Sequence, residues 1–198
     1  MNTSYAKAET LSSAVIAPLD FGRSVALVVG FSLLMALAAQ VAIPLPWTPV
    51  PITGQTFAVL LTGALLGSRL GALAMIAYLI EGASGLPFFA AGGSGIQHLL
   101  FSPTSGYLLS YPVAAFVVGL LAERGWDRRF LTAAAAMTIG SLVILLGGWA
   151  WLARFVSPSA AFAAGVEPFL IGDVIKIALA AAALPSGWAI LRKTSRRG

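Results

Sequence analysis

The chain contains no cysteine and a single histidine, His98. The first absence excludes a disulfide framework, a thiolate metal site and a cysteine nucleophile. The second leaves too few imidazoles for a histidine-built metal centre. Charge is scarce as well: Asp, Glu, Lys and Arg make up 10% of the 198 residues, against 59% hydrophobic. A soluble globular domain carries roughly 25% charged residues, so a water-facing surface cannot be built here. A phosphate-binding loop is also missing, because Gly92-Gly-Ser-Gly95 is not followed by Gly-Lys-Ser/Thr. Ser94 and His98 share one loop, with no second element to position them as a hydrolytic dyad.

Long apolar runs take the place of a polar surface. A hydrocarbon-spanning helix needs about 20 apolar residues, and the chain has room for six. The expectation is an all-α membrane protein of six transmembrane helices. A first span runs from Ser24 to about Ile43 and stops at Pro44-Leu-Pro-Trp-Thr-Pro-Val-Pro51, where prolines prevent helix. Two shorter spans follow, Gly54 to about Gly67 and Leu70 to about Ala83, with Arg69 at their turn. The Gly-rich segment from Ser84 to Ser102 reads as a long connection. A fourth span starts at Pro103 and reaches Ala122, and the charged run Glu123 to Arg129 marks a boundary. The fifth covers Phe130 to Ala153 and the sixth about Pro168 to Leu191. Residues 1–22 are expected to be a cytoplasmic tail, 23–192 the six-helix transmembrane domain and 193–198 a basic cytoplasmic tail.

The basic residues test this topology. With the N-terminus cytoplasmic, Lys7, Arg23, Arg69, Arg124, Arg128, Arg129, Arg192, Lys193, Arg196 and Arg197 fall inside, and Arg154 alone falls outside. That asymmetry supports six spans with both ends in the cytoplasm. It also accounts for the net charge of +5 through anionic lipid rather than nucleic acid. Arg23, the apolar run and Ala36-Leu-Ala38 resemble a signal peptide, but the run continues past that point and is read as a span.

Asp173 and Lys176 interrupt the sixth span three residues apart, so they share a helix face. A lone charge at the bilayer centre costs at least ~2.5–3.5 kcal/mol, and a pair facing the bundle offsets part of that. Such groups are either a structural ion pair or a ligand site, and intramembrane ionisable residues favour the second. Both lie in the outer half of their helix. At the same level the topology brings Gln55, Tyr78 and Tyr107, beneath two uncharged outer segments, 44–53 and 84–102, the latter carrying His98. Convergent polar groups of this kind suit a small-ligand pocket. Glu81 is read as sitting among lipid headgroups. Trp47, Phe88 and Phe89 are read as interfacial anchors in preference to lid aromatics, and Arg154 as snorkelling outward. Ala26-Leu-Val-Val-Gly30 permits close helix approach, as does the strip Gly63, Gly67 and Gly71.

Several segments together carry a resemblance: Val50-Pro-Ile-Thr-Gly-Gln-Thr-Phe57, Leu65-Leu-Gly-Ser-Arg-Leu-Gly71, Tyr78, Gly85-Leu-Pro-Phe-Phe89, Ser102-Pro-Thr-Ser-Gly-Tyr107 and Gly172-Asp-Val-Ile-Lys176. In order and spacing, over about residues 24–191, the chain resembles the BioY family, the biotin-specific S components of energy-coupling factor (ECF) transporters. The resemblance implies six helices in an S-component bundle, a biotin site near the outer surface and no catalysis by the chain itself. It implies no cofactor beyond biotin as transported ligand. As partners it implies a transmembrane coupling subunit, met through small residues on the first helix such as Ala26 and Gly30, and two cytoplasmic ATPases. Asp173 can accept from biotin's ureido N–H groups, and Lys176 can either attract the ligand carboxylate or orient Asp173. The chain departs from the family pattern at Ser105. It also has no arginine between Arg69 and Arg124; if a family arginine there holds the ligand carboxylate, His98 or Lys176 must substitute for it here, or the contact is absent. The competing reading is a stand-alone secondary transporter of a small vitamin-like carboxylate, with Asp173 as proton carrier. An intramembrane enzyme is a third.

Overall fold

A computed structural model of the chain describes residues 10–16 and 20–195. Lys7, Arg196, Arg197 and most of the two expected tails lie outside the described residues. Asp20 starts the first long helix by accepting from the Arg23 N–H at 2.8 Å, a side-chain N-cap. The helix therefore begins at Phe21, before the expected Ser24, and runs to Gln40 as α2. A short α1, Leu11–Ile16, precedes it, so the expected tail is in part helical, and Leu11 packs against the core.

The remaining order is β1 (Ala42–Leu45), β2 (Thr48–Thr53), α3 (Gln55–Leu66), α4 (Ser68–Ala83), a 3-10 turn (Ala90–Gly92), α5 (Gly95–Phe101), α6 (Ser105–Glu123), a 3-10 turn (Trp126–Arg128), α7 (Phe130–Leu152), α8 (Pro158–Gly165) and α9 (Glu167–Ser195). Each expected span coincides with a helix. Four segments are long and apolar enough to cross a membrane: Phe21–Gln40, Ser105–Glu123, Phe130–Leu152 and Pro158–Lys193. At about 1.5 Å per residue, α3 with 12 residues and α4 with 16 fall short of a hydrocarbon core of roughly 30 Å.

The expectation of an all-α chain is corrected at residues 42–53. Prolines do exclude helix there, but the segment forms an antiparallel hairpin pairing Ala42 with Thr53, Ile43 with Ile52 and Leu45 with Thr48. Its register shifts between Ile43 and Leu45, at Pro44, which has no N–H to give. In a two-stranded ribbon each strand keeps a free edge, where proline is tolerated. The expected loops at 84–102 and 154–167 likewise contain the short helices α5 and α8.

Helix α6 is the centre of the bundle, packed by α3, α4 and α7. Small residues bring these helices together. A Cβ on Gly63 would meet the Ala115 carbonyl oxygen at 2.4 Å, and one on Gly119 would meet the Gly67 backbone at 2.4 Å. The strip of glycines on α3 and α4 is thus an internal seam. The periphery is α2, of which 17% is buried against 56% of α6. Its Ala26 and Gly30 are exposed, and among the described residues nothing lies within 4 Å of where a Gly30 Cβ would stand. Among these residues the pair faces outward rather than into the bundle's packing.

Candidate functional site

At the hairpin end of the bundle lies a cavity of about 550 Å³, counting its open part, within the roughly 300–1,000 Å³ of small-molecule sites. Strand β2 roofs it with Val50, Pro51 and Thr53. The start of α3 supplies Gln55 and Thr56, and the 84–102 connection supplies Ala90 and His98. Thr104, Tyr107, Leu108 and Tyr111 of α6 and its cap, Leu145 of α7, and Phe169, Asp173 and Lys176 of α9 complete the wall.

Asp173 is 6% exposed, and Lys176 Nζ stands 3.8 Å from its Oδ1. The pair does not close on itself. Lys176 donates to the Thr53 carbonyl at 2.9 Å and to Thr56 Oγ1 at 2.7 Å, while Asp173 Oδ2 accepts from Ser141 Oγ on α7. Both charges are held by neighbours and still border empty space, which is the arrangement a polar ligand can enter.

A second chain of hydrogen bonds stiffens the roof. Thr53 Oγ1 donates to Gln55 Oε1 at 3.2 Å, Gln55 Nε2 donates to Tyr78 Oη at 2.7 Å, and Tyr78 donates to the Phe88 carbonyl at 3.1 Å. Tyr78 is fully buried and stands behind the wall, not in it. Gln55 is in the wall. Tyr107 gives its hydroxyl to the Gly165 carbonyl at 2.6 Å and presents its ring, 6.3 Å from that of Phe169. Gly148 makes room for that ring, since a Cβ there would meet Tyr107 at 2.1 Å. Tyr111 lines the cavity, and its hydroxyl has no hydrogen-bond partner among the described residues.

Of the expected site residues, Asp173, Lys176, Gln55, Tyr107 and His98 meet in one cavity, with Tyr78 one layer back. His98 is half-buried in α5 and stacked on Phe89 at 5.4 Å and 17°. Phe89 is fully buried, which corrects its reading as an interfacial anchor. Glu81 is corrected too. Ser32 of α2 donates to its Oε1 at 3.1 Å and its Oε2 is buried, so the side chain packs against α2 rather than among headgroups. Trp47 and Arg154 are exposed, the latter over the Trp151 ring at 4.6 Å.

Thr53, Thr56, Tyr111 and Phe169, which line the cavity, and Ser141, which bonds Asp173 from behind the wall, are residues that the sequence reading did not single out. Signals existed for most. Thr53 and Thr56 lie in the segment 50–57. Tyr111 follows Tyr107 by four residues and Phe169 precedes Asp173 by four, so each shares a helix face with a chosen residue. Ser141 offers no signal beyond being polar within an apolar helix.

The comparisons with known proteins can be set against this geometry. A profile described as the BioY family matches residues 7–193. The chain is 44% identical over 158 residues to a probable biotin transporter BioY of Pyrococcus horikoshii, covering 80% of this chain and 91% of that one. It is 37% identical over 151 residues to the biotin transporter BioY of Thermotoga maritima, covering 76% and 87%. Its fold is shared, with a TM-score of 0.73 at 21% identity over 89% of this chain and 93% of the other, with the crystal structure of an S-component for biotin from an ECF-type ABC transporter. A mostly helical membrane bundle with the S-component fold, matched by the profile over nearly all its length, is therefore in hand, and the chain belongs to the BioY family.

Proposed function

We propose that the chain is the biotin-binding S component of an ATP-driven ECF transporter. The observation that carries this reading is the Asp173–Lys176 pair, buried yet bordering a cavity of ligand size. The names of its relatives, biotin transporters in each case cited, supply the ligand. Biotin offers two ureido N–H donors and a carbonyl at one end and a carboxylate at the other, joined by a thioether ring and an aliphatic tail. Asp173 accepts from the ureido N–H groups, Lys176 donates to the ureido carbonyl, and the Tyr111 hydroxyl adds a further contact. The rings of Tyr107 and Phe169, with Leu108 and Val50, line the path of the apolar part. Lys176 already donates to Thr53 and Thr56, which favours its orienting role beside Asp173 over a reach to the far end.

The chain performs no chemistry on the ligand in this reading. Six spans place both ends in the cytoplasm, with α3 and α4 as the two short ones. Arg124, Arg128, Arg129, Arg192 and Lys193 stand at helix ends remote from the cavity, which supports a site open to the outside. A transmembrane coupling subunit docks on α2 through Ala26 and Gly30, and two cytoplasmic ATPases drive release. Leucine at both positions is expected to abolish ATP-dependent uptake and leave biotin binding intact; loss of binding would overturn that docking assignment.

The central test is mass spectrometry of small molecules retained by the purified chain, followed by biotin titration of the parent and of Asp173→Asn. Retention by the parent and loss in the variant is the expected result. A parent that retains and binds no biotin overturns the reading. Uptake that persists without any ATPase and stops when the proton gradient is collapsed would favour the secondary transporter instead.

A further inference from the structure

We propose that His98 is the residue that selects the ligand's carboxylate, and that it takes up a proton from solvent as the ligand binds. The proposal rests on the reading of the cavity as a biotin site and assigns its second polar end.

The cation on α9 is committed elsewhere. Two of the three Lys176 protons go to Thr53 and Thr56, and the ammonium stays 3.8 Å from Asp173. A ligand with polar groups at both ends of an aliphatic chain needs a second anchor some distance away. Helix α6 gives the scale. Its lining residues run from Thr104 to Tyr111, seven residues or roughly 10 Å of helix. Tyr111 is within electrostatic reach of Asp173, which marks one end. His98 marks the other, since its carbonyl accepts from Ser105 Oγ at 3.3 Å beside the first turn of α6.

At that end the imidazole is held but not satisfied. One face stacks on the fully buried Phe89. Gly93 gives the ring its space, because a Cβ there would stand 2.6 Å from Cε1 and 3.0 Å from both ring nitrogens. Neither nitrogen has a hydrogen-bond partner among the described residues. The ring is thus fixed between Phe89 and Gly93, in a residue that lines the cavity.

Histidine is the side chain that ordinarily changes charge between pH 5 and 8. Burial lowers the pKa of His98, since a charged ring is poorly solvated there, and the empty site holds it neutral near pH 7. An arriving carboxylate favours the imidazolium through a charge-assisted hydrogen bond. The bound pKa is therefore the higher one. Affinity for a carboxylate ligand rises as pH falls through the bound-state value and levels off below the free-state value. One proton limits the effect to about tenfold per pH unit.

The titratable groups facing this cavity from other elements are Tyr107 and Tyr111 on α6 and Asp173 and Lys176 on α9, with Tyr78 of α4 behind Phe89. His98→Gln leaves all of them in place, so a pH slope that they cause survives the substitution. The experiment is calorimetric titration of the detergent-solubilised full chain with biotin at pH 6, 7 and 8, repeated at pH 7 in buffers of different protonation enthalpy. Biotinamide, which lacks the charge, is titrated in parallel. Expected are several-fold tighter biotin binding at pH 6 than at pH 8, net proton uptake in the parent, and weaker, pH-flat binding of biotinamide to the parent and of biotin to His98→Gln. A flat profile with no proton uptake in a parent that binds biotin overturns this proposal alone, as does a slope that persists in His98→Gln. Absence of biotin binding at every pH overturns the ligand assignment itself.

Discussion

Lys176 and Asp173 sit one helical turn apart with Nζ 3.8 Å from Oδ1, and each spends its direct hydrogen bonds on another element: Lys176 on Thr53 and Thr56, Asp173 on Ser141. The pair therefore ties the roof, α9 and α7 into one frame around the cavity. Removing the cation leaves a buried carboxylate with reduced compensation and removes a donor from the ligand's polar head. Lys176→Met is expected to weaken biotin binding by about 1.5–3 kcal/mol, the scale of a hydrogen bond to a charged group, or roughly 10- to 150-fold in Kd. Titration in detergent measures it. A Kd within twofold of the parent would show that the ligand does not engage this end of the cavity.

Ser141 does not line the cavity, yet its hydroxyl fixes one oxygen of Asp173. It acts by aiming the carboxylate. Ser141→Ala is expected to weaken biotin binding about tenfold, at the low end of the charge-assisted range. Because Ser141 acts only through Asp173, Ser141→Ala combined with Asp173→Asn should be little worse than Asp173→Asn alone. Additive losses would show that Ser141 supports the site by some other route.

The helices were legible because charge and proline punctuate apolar runs that lipid, not water, must solvate. Asp173 and Lys176 were legible for the same reason: an ionised pair in such a run demands explanation. The hairpin was not, since four prolines argue against helix without arguing for a strand, and its pairing depends on register between residues that are not adjacent. Phe89 read as a surface anchor because only the fold shows that Tyr78 and His98 flank it, edge-on and stacked. Lys176 meets Thr53 across 123 positions and Ser141 meets Asp173 across 32; helix periodicity relates residues within one element and is silent on such pairs. Tyr111 lay within its reach, one turn from Tyr107.

Glu123 looked like a mere boundary charge, and the fold gives it a task. Its Oε1 accepts from the Ser68 N–H at 2.6 Å and from Ser68 Oγ at 2.9 Å, so the last residue of α6 caps the first of α4, where a helix N-terminus favours negative charge. Gly67 makes the turn with φ of +85°, and a Cβ there would stand 2.6 Å from Glu123 Oε1. Glu123→Ala is expected to cost about 1–2 kcal/mol of stability, the range of a lost cap. Gly67→Ala should cost more, as strain and the lost cap combine. Matched-rate thermal aggregation in detergent reads both, and Kd for biotin should stay unchanged in Glu123→Ala. A weakened Kd there would mean that this end of the bundle is coupled to the cavity.

Asp127, in the turn between α6 and α7, is buried to 1% exposure and accepts from Trp188 Nε1 at 2.5 Å, while the Arg128 guanidinium lies 4.7 Å from the Trp188 ring centre. The cluster pins the α6–α7 turn to α9. Burial pushes the Asp127 carboxyl above its ordinary value, and the Trp188 hydrogen bond and the Arg128 charge oppose that without reversing it. The folded-state pKa is thus above the unfolded one of about 3.9. The stabilising contribution of the group is complete below the unfolded value and is lost as pH rises through the folded one. Asp127→Asn keeps an acceptor for Trp188 and carries no charge to bury. It should be at least as stable as the parent at pH 7, with the difference shrinking toward pH 4, as read by matched-rate thermal aggregation at each pH. A variant markedly less stable than the parent at pH 7 would mean that attraction to Arg128 outweighs the burial of the charge, and the sign of the pH dependence would then invert.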